Sequence, residues 1–133
     1  MAVPPYEAVS TADKPLVWIG STLKDLRAFP EEVKDVMGFA LSQAQSGGKH
    51  PDAKPLKGYK GAGVLEVVDD FDGDTYRAVY TVKLEGMVYA LHAFQKKSKT
   101  GKATDKSDLE MVERRLKLAR ADYERRKKEN EDD

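Results

Sequence analysis

The chain has 133 residues and contains no cysteine. Without a thiol it forms no disulfide, holds no zinc through thiolates and performs no cysteine-based catalysis. No apolar run approaches the roughly 20 residues that a membrane-spanning helix needs. The first residues, Met-Ala-Val-Pro-Pro-Tyr-Glu, lack the basic start and apolar core of a signal peptide. These absences predict a cytoplasmic protein, and the length is that of one domain with one core.

Charge of either sign is not in excess, because 23 Lys and Arg residues balance 23 Asp and Glu residues. A net charge of zero gives no bulk signal of a nucleic-acid-binding protein. The charges are unevenly distributed, however. Residues 92–102 carry four lysines and no acid, whereas acids gather at 66–74 and at the C-terminal end. A local cationic cluster steers an anionic ligand even when the total charge is zero.

The segment 76–94 is rich in β-branched and aromatic residues, with Glu85-Gly86 near its middle. Glycine supplies the positive φ of a two-residue turn, so we predict a hairpin of strands 76–84 and 87–94. Side chains alternate between the faces of a strand. On the first strand, one face holds Arg77, Val79 and Thr81. On the second strand, one face holds Val88, Ala90, His92, Phe94 and Lys96. If these faces lie on the same side of the sheet, an arginine (Arg77), an imidazole (His92), an aromatic ring (Phe94) and a lysine (Lys96) converge into a group that would clamp phosphate and stack a base.

The remaining elements are predicted from hydrophobic periodicity. A strand at 16–19 precedes a short helix that ends near Phe29, and an amphipathic helix begins at Pro30-Glu31-Glu32. A loop at 49–63, a strand at 64–68 and an acidic turn at 69–74 follow. That turn does not match an EF-hand loop, because position twelve counted from Asp70 is a threonine. A capping box at 107–110 begins a long helix whose apolar residues extend to Tyr123.

The predicted order is β-α-α-β-β-β-α, an α+β fold in which helices flank one small, mainly antiparallel sheet. Residues 1–14 are predicted to form an extended arm and residues 15–124 the folded domain. The charged segment 125–133 has no apolar face, so it is predicted to fray.

Four segments resemble the RelE/ParE superfamily of toxins from bacterial type II toxin–antitoxin modules, and within it the phage-related, HigB-like branch. They are Leu56-Lys57-Gly58 with Leu65-Glu66, Tyr76-Arg77-Ala78-Val79-Tyr80, Leu91-His92-Ala93-Phe94-Gln95-Lys96-Lys97-Ser98, and Arg115-Leu116. The resemblance implies a RelE-like fold and a toxin that stops translation by cutting messenger RNA, commonly on the ribosome. It also implies a cognate antitoxin, in this branch usually a helix-turn-helix DNA-binding protein. Cleavage in such toxins proceeds by attack of the ribose 2′-hydroxyl on the adjacent phosphate, with no metal or organic cofactor.

The resemblance also implies catalytic roles by position. Arg77 would stabilise the phosphate, and Lys96 and Lys97 would replace the basic residues that close the last active strand of the family. His92 would transfer protons, since imidazole titrates near neutrality. Two structural alternatives remain open: Arg77 could pair with Glu66 on the neighbouring strand, and His92 could be a hydrogen-bonded, half-buried histidine.

RNA contacts are implied for five further residues, Lys57, Lys60, Phe94, Lys99 and Lys102. Phe94 would stack on a base, although phenylalanine on a strand is usually part of the core. Two other functions remain open. A ParE-like protein would inhibit DNA gyrase without cutting RNA, and a degenerate toxin would only bind its antitoxin.

Overall fold

The computed structural model describes residues 13–57, 59, 63–96 and 104–131. Its described elements are β1 (Leu16–Trp18), α1 (Thr22–Arg27), α2 (Glu31–Gln45), β2 (Ala53–Pro55), β3 (Val64–Phe71), β4 (Asp74–Thr81), β5 (Val88–Lys96) and α3 (Lys106–Glu131). The predicted α+β class is confirmed. None of the described helices is both long and apolar enough to cross a bilayer.

The strands form one sheet in the order β1-β5-β4-β3-β2. β1 lies parallel to β5, and the other neighbours are antiparallel, which confirms a mainly antiparallel sheet. The predicted order lacked β2, which lies within the segment 49–63 that was predicted to be a loop. β2 is only three residues long, and its pairing with β3 from Ala53 opposite Val67 to Pro55 opposite Leu65 has no periodic signal in the sequence.

A two-residue turn joins β3 directly to β4, whereas a longer connection joins β4 to β5. β3 continues to Phe71 and β4 begins at Asp74, so Asp72 and Gly73 alone form the turn, with φ of 51° and 85°. Two successive positive φ values suit a two-residue hairpin turn. The predicted acidic turn was therefore too long. The predicted turn at Glu85-Gly86 is present, since the Met87 amide bonds the Leu84 carbonyl across it at 3.1 Å and Gly86 has the expected positive φ of 85°. The predicted strand ends were wrong, because β4 ends at Thr81 and β5 begins at Val88, so residues 82–87 all lie between the two strands.

The sheet separates two apolar clusters. The apolar stripe of α2 packs on one face, where Val33, Met37 and Ala40 are fully buried against Tyr80 and other strand residues. On the opposite face α3 packs through Val112, Leu116 and Ala119 against Val79, Tyr89 and Leu91. Both helices thus bury the stripes that their periodicity predicts.

The ends of α3 differ from the prediction. The helix begins at Lys106, so Ser107 lies in its first turn rather than at the cap, and the Leu109 amide bonds the Asp105 carbonyl. The helix continues to Glu131 through most of the segment assigned to a charged tail. An exposed Arg125–Glu129 pair at 2.9 Å lies within that segment. Its fraying stays a prediction.

A β-bulge shifts the register of β5 on β4. Val79 lies opposite His92 while Tyr80 lies opposite Ala90, so Leu91 is an extra residue on β5. Leu91 belongs to the α3 cluster and His92 bonds to α3, whereas Val88 packs in the α2 cluster. The predicted strict alternation, which placed Val88 with His92, was therefore wrong at the start of β5. An extra residue in a strand changes the direction of the side chains that follow it. At this bulge, the side chains of two successive residues, Leu91 and His92, both point toward α3.

Candidate functional site

The register of β4 and β5 brings the predicted group together on the α3 face. Arg77 lies opposite Phe94, Val79 opposite His92, and Thr75 opposite Lys96. Residues that oppose each other in an antiparallel pair project from the same side of the sheet. Since Val79 packs in the cluster under α3, its neighbours in this row share that side. Arg77, His92, Phe94 and Lys96 therefore project from one face of the sheet, which is the condition that the sequence analysis left open.

Arg77 forms a buried ion pair. Its Nη1 lies 2.9 Å from Glu66 Oε2 and 3.4 Å from the Thr104 hydroxyl, and both charged side chains are less than a tenth exposed. Glu66 lies on β3 beside β4, so the anticipated cross-strand pair is present. The contacts to Glu66 and Thr104 use one nitrogen of a guanidinium that carries five N–H donors.

His92 contacts α3 through both ring nitrogens. Nε2 lies 2.8 Å from Asp108 Oδ1, and Nδ1 lies 3.4 Å from Arg115 Nη1. The imidazole also stacks on Phe94, with ring centroids 4.5 Å apart and an interplanar angle of 25°. His92 is buried and Phe94 is half-buried. The semi-buried, hydrogen-bonded histidine that the sequence left open is thus the arrangement present.

Arg115 is a buried cation that sequence reasoning did not place in the site. It donates to the Leu91 carbonyl at 3.0 Å, to the Thr22 hydroxyl at 3.2 Å and to the Ser21 hydroxyl at 3.0 Å. Burial lowers the pKa of its guanidinium, while nearby Asp25 acts in the opposite direction. A signal was present, because Arg115 follows Val112 by three residues and so lies on the buried stripe of α3.

A shallow cavity of about 400 Å³ adjoins the edge of β5. β1 pairs with β5 only as far as Ala90, and among the described residues no strand pairs with this edge of β5 beyond it. The cavity lies there and reaches α1. Its lining includes His92, Phe94 and Gln95 from β5, Tyr76 from β4, Asp25 from α1, and Phe29 just after α1. The stacked pair of His92 and Phe94 therefore borders an accessible space.

The predicted lysines have different environments. Lys96 is buried at the end of β5, although it was predicted to belong to an anion-facing patch. Lys57 is exposed just after β2. Lys60, Lys97, Lys99 and Lys102 lie outside the described residues. Within the described ranges no three His, Asp or Glu side chains are grouped so that they could hold a metal ion.

The five-stranded, mainly antiparallel sheet and its flanking helices define an α+β protein, with a basic and aromatic row on β4 and β5. Comparison with protein families matches residues 24–117 to Phage derived protein Gp49-like (DUF891), a toxin-like family. This match covers most of the chain, and the protein belongs to that family. No curated protein and no solved structure gave a significant match.

Proposed function

We propose that the protein is the toxin of a type II toxin–antitoxin module, from the HigB-like branch, and that it stops translation by cutting messenger RNA. The observation that carries this proposal is the row of Arg77, His92, Phe94 and Lys96 on one face of β4 and β5. The row combines cations for a phosphate with an aromatic ring for a base. The toxin-like family to which the chain belongs supports the general role.

Cleavage would begin with attack of a ribose 2′-oxygen, which loses its proton, on the adjacent phosphate. The bond from phosphorus to the 5′-oxygen of the next nucleotide would break, that oxygen would take up a proton, and a 2′,3′-cyclic phosphate would remain. Arg77 would stabilise the negative charge that develops on the non-bridging phosphate oxygens, with Lys96 and Lys97 adding positive potential. Phe94 would stack on a base beside the cavity at the edge of β5. His92 would transfer a proton only after its contact with Asp108 or Arg115 opens, since both ring nitrogens are engaged. Lys57, Lys60, Lys99 and Lys102 would contact the RNA backbone, and the chemistry needs no cofactor.

The partners of such a toxin would be messenger RNA on the ribosome and a cognate antitoxin of the helix-turn-helix type, in the cytoplasm. The antitoxin would have to neutralise the toxin in the resting cell. Co-purification of the chain with the product of a neighbouring gene would identify it.

The experiment is inducible expression in bacteria without antitoxin, with mapping of messenger RNA 5′ ends. Phe94→Ala and Lys57→Ala should reduce cleavage, because each removes an accessible contact from a partly or fully exposed side chain. Lys54→Ala is the control for Lys57, since Lys54 is also an exposed lysine near the end of β2. Arg77→Lys retains a cation beside Glu66 and tests whether the geometry of the guanidinium matters.

New cleavage sites in wild type that weaken in the three test variants, but not in Lys54→Ala, would support the nuclease. Growth arrest with intact messages and a DNA-damage response would instead identify a gyrase inhibitor of the ParE type. Each variant is checked for soluble, folded protein by circular dichroism, so that loss of fold is not mistaken for loss of chemistry.

One observation favours a second candidate, a degenerate toxin that only binds its antitoxin. Arg77 is paired with buried Glu66 at 2.9 Å, and His92 is paired with Asp108 at 2.8 Å. Groups held this tightly by internal partners serve the fold as well as any chemistry. Soluble wild-type protein that binds the antitoxin but causes neither arrest nor cleavage would establish this second function.

A further inference from the structure

Arg115 contacts both parts of the β-bulge. The guanidinium donates to the carbonyl of Leu91, the extra residue, and lies beside Nδ1 of the next residue, His92. It also reaches Ser21 and Thr22 at the start of α1. Arg115 thus connects α3, α1 and the distorted part of β5 through hydrogen bonds from one buried side chain.

The contact between Arg115 and His92 has a chemical consequence. A guanidinium carries only donors, so the ring nitrogen that faces it must offer a lone pair. A proton on Nδ1 would aim an N–H group at the N–H groups of Arg115. The proton of a neutral ring must then reside on Nε2, where Asp108 accepts it at 2.8 Å. The two neighbours therefore select the same tautomer from opposite sides of the ring.

The remaining charges near the ring agree with this arrangement. From α1, the Asp25 carboxylate accepts a hydrogen bond from Ser21 at 2.7 Å, and Ser21 accepts one from Arg115. Arg115 is therefore linked to one carboxylate through Ser21 and to Asp108 through His92. Phe94, on β5 itself, contacts the face of the ring and carries no charge.

A glycine provides the space that the guanidinium occupies. Gly20 has a φ of 60°, and a Cβ placed there would lie 2.9 Å from Arg115 Nε. A methyl group at this position would press on a side chain whose donors are already directed to Leu91, Ser21 and Thr22. The position of Arg115 is thus determined by a backbone feature of the β1–α1 connection as well as by its own contacts.

We infer that Arg115 is a positioning residue that holds His92 as the neutral Nε2–H tautomer against Asp108 and so fixes the His92–Phe94 stack at the edge of β5. The consequence of this positioning for catalysis rests on the proposed function, in which a nucleotide base stacks on Phe94. The tautomer itself is a property of the protein alone. In this arrangement His92 supports Phe94 and does not transfer protons while both contacts are in place.

The test is nuclear magnetic resonance of protein labelled with ¹⁵N at histidine. Long-range ¹⁵N–¹H correlations distinguish the two neutral tautomers from the protonated ring. The sequence contains two histidines, so His50→Gln assigns both signals. At pH 7.5 wild type should give the single Nε2–H pattern for His92. An Nδ1–H or doubly protonated pattern would overturn the inference without reference to any variant.

Two variants disturb Arg115 by different routes, and each has a matched control. Arg115→Met removes the guanidinium, and Arg114→Met removes the exposed neighbouring one. Gly20→Ala presses on Arg115, whereas Gly73→Ala has a comparably positive φ of 85° but no atom within 4 Å of the added methyl. Asp108 still faces Nε2 in both test variants, but the guanidinium no longer opposes a proton on Nδ1. Both test variants should therefore replace the single Nε2–H pattern with that of the doubly protonated ring, and both controls should keep the wild-type pattern. Gly20→Ala retains Arg115 and carries the test if Arg115→Met does not fold.

An unchanged His92 pattern in folded Gly20→Ala and Arg115→Met would overturn the inference. Growth arrest and messenger RNA cleavage, measured on the same variants, separate it from the proposed function. Loss of the tautomer pattern in the test variants of a protein that never cleaves RNA would retain the positioning role and reject the nuclease. Cleavage that persists unchanged in both test variants would reject the positioning role in catalysis.

Discussion

Removal of the Arg77 side chain from its buried ion pair should destabilise the protein far more than removal of a lysine from a surface ion pair of similar length. Arg77→Ala leaves Glu66 buried without its partner at 2.9 Å. The physical cost is that of an uncompensated charge away from water, not that of one lost contact. The comparison is Lys34, a half-buried lysine whose ammonium lies 2.8 Å from the exposed Glu31 on α2.

Burial sets the expected magnitudes. Breaking a buried pair by removing one partner costs about 3–5 kcal/mol, whereas exposed pairs contribute about 0–1 kcal/mol. Single domains have a free energy of unfolding of roughly 5–15 kcal/mol, so Arg77→Ala should lose a large share of the total. A loss of that size corresponds to a drop in melting temperature of about 10–20 °C. Lys34→Ala should lower it by at most a few degrees.

The assay is urea unfolding followed by fluorescence of the single tryptophan, Trp18, which is half-buried on β1 and packs against the cluster beneath α2. Circular dichroism provides a second probe of the same transition. The double variant Glu66→Leu/Arg77→Met replaces both charges with apolar side chains. It should recover most of the stability that Arg77→Ala loses, because neither position of the pair then leaves an uncompensated charge buried.

A loss below about 1 kcal/mol for Arg77→Ala, within the range of an exposed pair, would refute this reasoning. Failure of the double variant to recover stability would show that the loss arises from packing around the site rather than from the charge of Glu66. Either result would also change how a loss of toxicity in any Arg77 variant is interpreted.

Further predictions concern the stability of the protein at acidic pH, the β3–β4 turn and the residues of α3. Burial raises the pKa of Asp122, but hydrogen bonds from Tyr89 and two arginines outweigh it and the net pKa is lowered. Its stabilisation is therefore present above pH 3.8 and is lost as the pH falls below that value, so Asp122→Asn should cost stability at pH 7 and little at pH 2 in urea unfolding. Gly73→Ala should cost about 1–2 kcal/mol, because L-residues resist its positive φ. Leu116→Ala, which opens a cavity in a buried contact, should cost about 2–5 kcal/mol, and Leu118→Ala, which is exposed, less than about 0.5 kcal/mol. Thermal unfolding monitored by circular dichroism measures the last three.

The toxin-like class and the outline of the fold followed from local patterns. The apolar stripe of α2 and that of α3 each identified a helix and its buried face, because the helical spacing of apolar residues is visible within a single segment of the sequence. The basic and aromatic row on β4 and β5 was anticipated for the same reason, since alternation places side chains on faces. Its motif also supported the resemblance that the family match later confirmed in its general form.

Other features were decided only by contacts between distant segments. β2 forms because its residues pair with β3, and the bulge at Leu91 depends on how β5 pairs with β4 and packs against α3. Arg115 joins the site through the Thr22 hydroxyl, 93 residues away in the chain. Propensity and periodicity describe a residue and its near neighbours, so the amino-acid sequence determined which segments become helices and strands and which faces they bury. The packing of those segments against one another determined the strand register, the bulge and the partners of each buried charge. Only that packing removes the charged groups from water, and a group removed from water must form its hydrogen bonds within the protein.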